Sequence, residues 1–247
     1  MQIGKFFGAI TLALSLFFLA LQYKGLELEA ACVRALAVTF LTLLYITRIK
    51  NKHPLFLLFL VFFSISEVFN YATWIIDFDL NSEIDYYYYV GNGLYILSYL
   101  FLISRILVGM DIKRALVRFP FQIVLLVILG LFFVYFVSDT TKNEIVNNND
   151  YYLELFYNAI IMLLMALALV NYMFKDDKKS MNLLIGTICI MFSEVIQLTY
   201  FYIAEINLLN VLCSIFLVFA FLFFYLQSRL ENREVVDYTR QNAQISE

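Results

Sequence analysis

Long apolar runs recur along the whole chain and constrain its fold more than any other feature. Each run is close to 20 residues, the length of α-helix that crosses a bilayer core of about 30 Å. Hydrophobic residues make up 63% of the 247 residues and charged residues only 15%. The sequence therefore predicts an all-α, polytopic membrane protein, an eight-transmembrane-helix bundle. The expected spans are residues 5–23, 30–47, 55–76, 87–108, 119–138, 153–174, 180–204 and 206–228.

The charges between these spans alternate in sign, which supports an even number of crossings. Of the 17 lysines and arginines, 14 lie at the N-terminus, in or beside every second loop, and in the C-terminal tail. The remaining loops are acidic. Because an excess of Lys and Arg marks the cytoplasmic side, we expect both termini in the cytoplasm, and the expected location is a bacterial inner membrane. Residues 1–228 then form the transmembrane domain and residues 229–247 a cytoplasmic polar tail.

Two glutamates interrupt otherwise uncharged parts of their spans, and each follows a serine and precedes a valine. An ionisable group at bilayer depth costs about 2.5 kcal/mol or more on insertion scales, so it is presumed functional. Both carboxyls are expected about 15 Å below the outer helix ends, and each has an amide three residues later on the same helical face. We predict that they face one cavity and that the chain is a parallel repeat of two four-helix halves. These residues are Glu67 with Asn70, and Glu194 with Gln197.

Several residues have more than one interpretation at this level. A buried glutamate can have a purely structural role, in which its carboxyl hydrogen-bonds to a neighbouring helix. Arg34 can snorkel to the surface or reach down to the glutamates. Trp74 and the tyrosines of residues 86–89 are typical of an aromatic belt at the membrane interface. The single histidine, His53, lies in a loop, which excludes a histidine-dependent catalytic triad at the depth of the glutamates. The remaining roles for the two glutamates are carboxylate chemistry and ligand binding.

The seventh-span run from Gly186 to Glu194 resembles the Gly-Ala-x-x-Phe-x-x-Ser-Asp signature of the YhhN-like lysoplasmalogenase family. Members are eight-helix membrane proteins with an acidic residue on each of two helices. Further segments match in order over helices two to eight. Ser66-Glu67-Val68 is similar to the family's Gly-Asp-x-x-Leu, residues 91–99 to its Gly-x-x-x-Phe-x-x-x-His, Arg34-Ala35-Leu36 to its Lys-Pro-Leu, and Tyr157 with Met162 to its Tyr and Met pattern.

Three departures from the family pattern accompany these matches. Both acids are glutamate instead of aspartate, Tyr99 stands where the family has histidine, and Arg34-Ala35 replaces Lys-Pro. The resemblance implies hydrolysis of the vinyl ether of a lysoplasmalogen, a single-chain ether phospholipid. Glu67 and Glu194 would be the catalytic acid and base. Residues expected to bind or orient the substrate, the pair or a water are Arg34, Asn70, Tyr99, Gln197, Ser66, Ser193 and Tyr157.

This expected reaction needs neither a metal nor an organic cofactor, and the expected partners are membrane lipids, including a lysophospholipid substrate, with no nucleic acid. The competing hypothesis is a non-enzymatic membrane protein that binds a lipid or small molecule, a transporter or an assembly partner. In that case the glutamate pair would bind protons or a cation. The two prolines, Pro54 and Pro120, lie at expected helix ends, so the sequence does not indicate the broken helices common in secondary transporters.

Overall fold

Each apolar run folds as one α-helix. The computed structural model describes residues 2–76, 86–142 and 148–230, and within these residues the protein forms helices and no strand. Eight of the helices are long and apolar enough to cross a membrane, which confirms the predicted all-α, eight-span fold. The helices are α1 (Gln2–Tyr23), α2 (Glu27–Arg48), α3 (Pro54–Ile75), α4 (Tyr86–Val108), α5 (Ile112–Arg118), α6 (Pro120–Thr141), α7 (Asn148–Lys175), α8 (Lys178–Tyr202) and α9 (Asn207–Arg229).

The polar tail assigned to residues 229–247 lies outside the described residues, apart from its first two residues. Parts of two predicted acidic loops, residues 77–85 and 143–147, also lie outside them. The bundle has two ends that differ in charge. We call the end where α2, α4, α7 and α9 finish the basic end, and the opposite end the acidic end. Arg48, Lys175 and Arg229 occupy the last turns of their helices at the basic end.

Helix ends follow local signals in the sequence. Pro54 and Pro120 each occupy the first residue of a helix, a position where the missing N–H costs nothing. Asp177 accepts a hydrogen bond from the backbone N–H of Ser180 and caps α8. Asp111 caps the seven-residue helix α5 in the same way, by accepting from the backbone N–H of Arg114. This short helix was not predicted, because seven residues between two spans carry little periodic signal.

Six of the long helices close into a ring. Along the chain α2 packs on α3, α3 on α4, α7 on α8 and α8 on α9, and the ring is completed by contacts of α4 with α7 and of α2 with α9. The other two spans are peripheral, since α1 packs on α2 and α9 while α6 packs on α7. Their buried fractions, 17% and 11%, are the lowest among the eight spans.

This arrangement agrees with the predicted repeat of four-helix halves. Each half, α1–α4 and α6–α9, contributes one peripheral helix followed by three ring helices. The match is imperfect, because α1 also packs on the last helix of the other half. In this pairing α3 corresponds to α8, so the two glutamate-bearing helices occupy equivalent places in the ring.

Aromatic rings fill the centre of the bundle between the middle of the membrane and the basic end. Phe56, Phe59 and Phe63 follow one face of α3 and meet Phe221 and Phe224 of α9. The ring centroids of Phe63 and Phe221 are 4.8 Å apart, and those of Phe59 and Phe224 are 5.4 Å apart. Each of the five side chains is at most 6% exposed. We call these five residues the aromatic plug, since they fill the bundle between Glu67, one turn beyond Phe63 on α3, and Arg105, whose guanidinium lies over the Phe56 ring.

Candidate functional site

Glu67 and Glu194 line the same cavity, which lies in the acidic half of the bundle and has a volume of about 250 Å³. The ring topology brings them together because α3 and α8 occupy equivalent places in the two halves. We call this space the glutamate cavity. Its polar wall comes from five ring helices, α2, α3, α4, α7 and α8, and consists of Arg34, Glu67, Asn70, Tyr88, Asn92, Tyr95, Glu154, Tyr157, Ser193, Glu194, Gln197 and Tyr202.

Glu67 is held by a cation and a phenol. Arg34 donates from Nε to Oε2 of Glu67 at 2.5 Å, which forms an ion pair, and the hydroxyl of Tyr95 donates to Oε1 at 3.0 Å. The Glu67 side chain is only 2% exposed, whereas that of Arg34 is 16% exposed. Arg34 therefore reaches down to the glutamates, which settles the alternative left open by the sequence. Because α2 starts at Glu27, Arg34 lies about 10 Å inside the helix.

Glu194 has phenols as partners instead of a cation. The hydroxyl of Tyr99 donates to its Oε1 at 2.5 Å, and Tyr157 is hydrogen-bonded to the same carboxyl. The rings of the two tyrosines meet edge to face, with centroids 6.1 Å apart. Tyr95 and Tyr99 are one turn apart on α4, so this helix supplies a phenol to each carboxyl. The two glutamates thus have different electrostatic surroundings within one cavity.

A third carboxyl, Glu154 of α7, also lines the cavity. It is 6% exposed, accepts from the Tyr88 hydroxyl at 3.2 Å and accepts from Nδ2 of Asn158 at 3.4 Å. Sequence reasoning missed it because the sixth span was expected to begin at residue 153, which would place Glu154 at the membrane surface. Since α7 begins at Asn148, Glu154 lies about 9 Å inside the helix.

The other predicted site residues divide into three groups. Asn70 and Gln197 line the cavity, as does Ser193. The hydroxyl of Ser193 donates to the carbonyl of Cys213 at 3.0 Å, which ties α8 to α9. Ser66 is fully buried and donates within its own helix to the Phe62 carbonyl at 2.8 Å. Tyr99 is also fully buried, and it acts through its bond to Glu194 rather than through the cavity wall.

The predicted aromatic belt is only partly an interface feature. Trp74 and Tyr86 are 51% and 61% exposed, as a belt requires. Tyr88 instead enters the glutamate cavity, and the Tyr89 hydroxyl donates to Asp150 on α7 at 2.5 Å. These two tyrosines therefore connect α4 to α7 near the acidic end of the cavity.

An apolar groove adjoins the glutamate cavity. It lies between α1, α2 and α9, has a volume of about 210 Å³ and is lined mainly by leucine, valine and phenylalanine side chains. The groove runs from the level of Phe18 to that of Gly8, a distance of about 15 Å along α1. Arg34 and Leu217 line both the groove and the glutamate cavity. The polar glutamate cavity and the elongated apolar groove thus meet at Arg34.

Among the described residues, no group of three or more His, Cys, Asp or Glu side chains could hold a metal ion. Comparison of the chain with protein-family models, with curated proteins and with solved structures finds no match. The chemistry of the glutamate cavity must therefore be argued from its own geometry.

Proposed function

We propose that the protein is an integral membrane hydrolase that cleaves the vinyl ether of single-chain ether phospholipids. The observation that carries this proposal is the pairing of two carboxyls with different partners in one membrane-depth cavity. Glu67 has a guanidinium partner at 2.5 Å, and Glu194 has phenol partners. Enzymes that pass through an oxocarbenium-like transition state use two carboxyls in distinct roles, one as an acid and one as a charged stabiliser or base.

The partners assign these roles. The Arg34 guanidinium stabilises a negative charge on Glu67, so Glu67 is the carboxylate that stabilises the positively charged intermediate. Burying an isolated carboxylate is costly, and among the described residues Glu194 has no ion-pair partner. We therefore assign the transferable proton to Glu194. Tyr99 and Tyr157 orient its carboxyl group.

The reaction adds one water across the vinyl ether. Glu194 donates its proton to the vinyl carbon remote from the ether oxygen, which leaves an oxocarbenium ion beside the Glu67 carboxylate. Water attacks the carbon bonded to the ether oxygen and returns a proton to Glu194. The resulting hemiacetal then breaks its bond to the glycerol oxygen, which takes up the hydroxyl proton. The products are a fatty aldehyde and a glycerophospho-compound. Each turnover leaves both carboxyls as they began.

The adjoining compartments fit a lipid with one hydrocarbon chain. The apolar groove accepts the chain, and the glutamate cavity accepts the polar end, with the vinyl ether at their junction near Arg34. Burial of each methylene group contributes about 0.8 kcal/mol, so the groove favours long chains over short ones. Because Arg34 already contacts Glu67, it positions that carboxylate as well as facing the substrate.

We further propose that the chain is a divergent member of the YhhN-like lysoplasmalogenase family. The basic end of its bundle would then lie in the cytoplasm of a bacterium. The family resemblance of the Gly186–Glu194 run supports it. So does Gly186 itself, since a Cβ on this residue would lie 2.7 Å from the Phe224 ring and 3.2 Å from the Ala220 carbonyl of α9. A glycine is therefore needed for the close approach of α8 to α9 that places Glu194.

The proposal is tested by incubating purified protein in detergent with synthetic lysoplasmalogen and measuring the aldehyde released. Glu194→Gln keeps the side-chain shape but removes the transferable proton, and Glu67→Gln removes the charge. Each should lower kcat by at least about 100-fold. Glu29→Gln is the matched control because Glu29 is an exposed carboxylate of α2, and its rate should equal that of the parent.

Two further measurements separate this mechanism from others. In D₂O the product aldehyde should carry one deuterium on the carbon next to the carbonyl, because the proton is delivered to carbon. The matching acyl lysophospholipid, which has an ester in place of the vinyl ether, should not be cleaved at a comparable rate. Undiminished turnover in both glutamine variants would exclude the assigned roles. Lack of turnover by the parent protein would refute the enzymatic proposal.

The second candidate function is non-enzymatic binding of a lipid or small molecule, with protons or a cation at the carboxyls. The third carboxyl, Glu154, favours it, because the cavity then carries more acidic groups than the hydrolysis needs. Transport through the bundle is less favoured, since the aromatic plug fills the centre between the glutamate cavity and the basic end. Binding of lysophospholipid without turnover, weakened by Glu154→Gln, would support this second function.

A further inference from the structure

A second polar cavity lies at the basic end of the bundle, on the other side of the aromatic plug. Its volume is about 1040 Å³, and we call it the basic vestibule. Among the described residues, no aspartate or glutamate lines its wall. The cationic side chains in that wall are Arg48, Lys50, Lys52, Arg105, Lys175, Lys179 and Arg229, and His53 and Asn171 lie among them.

Two general rules explain many of these cations without a ligand. Basic residues collect in cytoplasmic loops as signals for membrane insertion, and cations in the last turn of a helix interact favourably with the helix dipole. Arg48, Lys175 and Arg229 are in last turns, while Lys50 and Lys52 are exposed loop residues. These rules place the cations at this end of the bundle. They do not explain polar atoms that are buried without a partner.

Such atoms concentrate at the base of the vestibule. Among the described residues, four buried side-chain polar atoms of this region have no hydrogen-bond partner. They are Nδ1 of His53, Nε of Arg105, Oδ1 of Asn171 and Nε2 of Gln227. Asn171 is 2% exposed and Gln227 is 0% exposed. Leaving a buried donor or acceptor unsatisfied is costly, so a bound polar group that forms hydrogen bonds with these atoms would stabilise the protein.

Arg105 is the centre of this base and its orientation is fixed. Its Nη2 donates to Oε1 of Gln227 at 3.1 Å, and its guanidinium carbon lies 5.4 Å from the centroid of the Phe56 ring. Because arginine has only donors, this bond also fixes the amide of Gln227, whose NH₂ group is left as a free donor. Arg105 appears in neither of the ion pairs found among the described residues.

Arg105 therefore brings a partly buried charge, with its Nε fully buried, to a cavity lined by other cations, and it has no ion-pair partner among the described residues. A cation withdrawn from water is stabilised by a paired anion, and the neighbouring lysines add attraction for an anion instead of supplying one. Arginine, amide and lysine donors together match the oxygen atoms of a phosphate group. Lys175 contributes from the side, since its Nζ lies against Gly109 so closely that a Cβ there would be 3.3 Å away.

We propose that the basic vestibule binds a phosphate group, held at its base by Arg105, which Gln227 orients, and at its side by Lys175. The phosphate comes either from a solute that enters from the aqueous phase or from the headgroup of an anionic phospholipid at the membrane surface. This site is independent of the proposed hydrolase activity, because the aromatic plug separates it from the glutamate cavity and its test measures no turnover.

The test is binding of inorganic phosphate to the full-length protein in nanodiscs of phosphatidylcholine, measured by isothermal titration calorimetry at constant ionic strength. Arg105→Gln removes the positive charge and should weaken binding at least about 10-fold. Lys175→Met should also weaken binding, and it serves as the informative variant if Arg105→Gln fails to fold. Arg114→Gln is the matched control, because Arg114 is an exposed arginine of α5 paired with Asp111, and it should leave the affinity unchanged.

A parallel arm identifies the source of the phosphate. Here the nanodiscs contain phosphatidylglycerol, and the thermal unfolding temperature is compared with that in phosphatidylcholine. Saturable binding of inorganic phosphate in neutral nanodiscs indicates an aqueous ligand. A rise in unfolding temperature with phosphatidylglycerol that is lost in Arg105→Gln and Lys175→Met indicates a lipid headgroup. The proposal is overturned if neither effect occurs, if chloride competes equally well with phosphate, or if the vestibule variants behave like Arg114→Gln.

Discussion

The ion pair of Arg34 with Glu67 sets a quantitative prediction for the variant Arg34→Met. The Glu67 side chain is 2% exposed and its Oε2 lies 2.5 Å from Nε of Arg34. Removing one partner of a buried ion pair typically destabilises a protein by about 3–5 kcal/mol, because the other charge stays buried. Methionine keeps most of the apolar stem of arginine, so lost packing adds little.

We expect Arg34→Met to lower the free energy of unfolding by about 3–4 kcal/mol at pH 7.

The double variant Arg34→Met/Glu67→Gln isolates the pair. With neither charge present, stability should recover to within about 1–2 kcal/mol of the parent, so the coupling free energy is about 2 kcal/mol or more. The assay is reversible unfolding in mixed micelles by titration with a denaturing detergent, followed by far-UV circular dichroism at pH 7.

The second ion pair of the described residues provides the control. Nε of Arg114 lies 3.1 Å from Oδ2 of Asp111, and the two side chains are 73% and 46% exposed. Arg114→Met should cost less than about 1 kcal/mol, as expected for a surface pair. The reasoning is refuted if Arg34→Met is as mild as Arg114→Met, or if the double variant Arg34→Met/Glu67→Gln is no more stable than Arg34→Met.

Two other predictions concern packing and the single histidine. Gly186→Ala should destabilise the protein by about 1–3 kcal/mol in the same unfolding assay, because the new Cβ would be 2.7 Å from a fully buried Phe224 ring. Gly130→Ala, at a position with no atom within 4 Å of the new Cβ, should be neutral or slightly stabilising, and equal effects of the two changes would contradict the close approach of α8 and α9. Burial, with the nearby cations Arg105 and Lys179, holds the pKa of His53 below its ordinary 6.5. Its NMR titration in tag-free protein should show this, Arg105→Gln should raise the pKa, and stability should begin to fall as the pH drops below about 6.5, where the unfolded state takes up the proton first. A His53 pKa at or above 6.5 in the parent would contradict the positive, partly buried vestibule.

The sequence predicts the eight spans and the glutamate pair because both depend on local composition. An apolar run of about 20 residues has few alternatives to a membrane helix, and a carboxyl within it is conspicuous. The cavity shared by Glu67 and Glu194 follows from matching depth and equivalent helices. The structure bears out this placement, while the catalytic roles stay predictions.

Two helices start earlier in the chain than the sequence predicts, which explains why the position of Arg34 was left open and Glu154 was missed. A shift of three residues at the start of α2 and of five at the start of α7 moves Arg34 and Glu154 deeper into the bundle. Because such polar residues near a span boundary fit either a surface or a buried position, composition alone cannot decide between them. Tyr95 had a usable signal, since it lies four residues before Tyr99 and shares its helical face.

The two glutamates have different surroundings because the corresponding helices of the two halves carry different side chains. In the first half, α2 supplies Arg34 to Glu67 on α3, and in the second half the corresponding helix, α7, supplies Tyr157 to Glu194 on α8. A symmetric pair of arginines would fix negative charge on both carboxyls and leave no acid, and a symmetric pair of tyrosines would leave no stabilised carboxylate. In the proposed mechanism, one arginine and one tyrosine beside the two carboxyls would give one group of each kind, as acid catalysis through a cationic intermediate requires. The different partners of Glu67 and Glu194 would then provide the proposed division of roles.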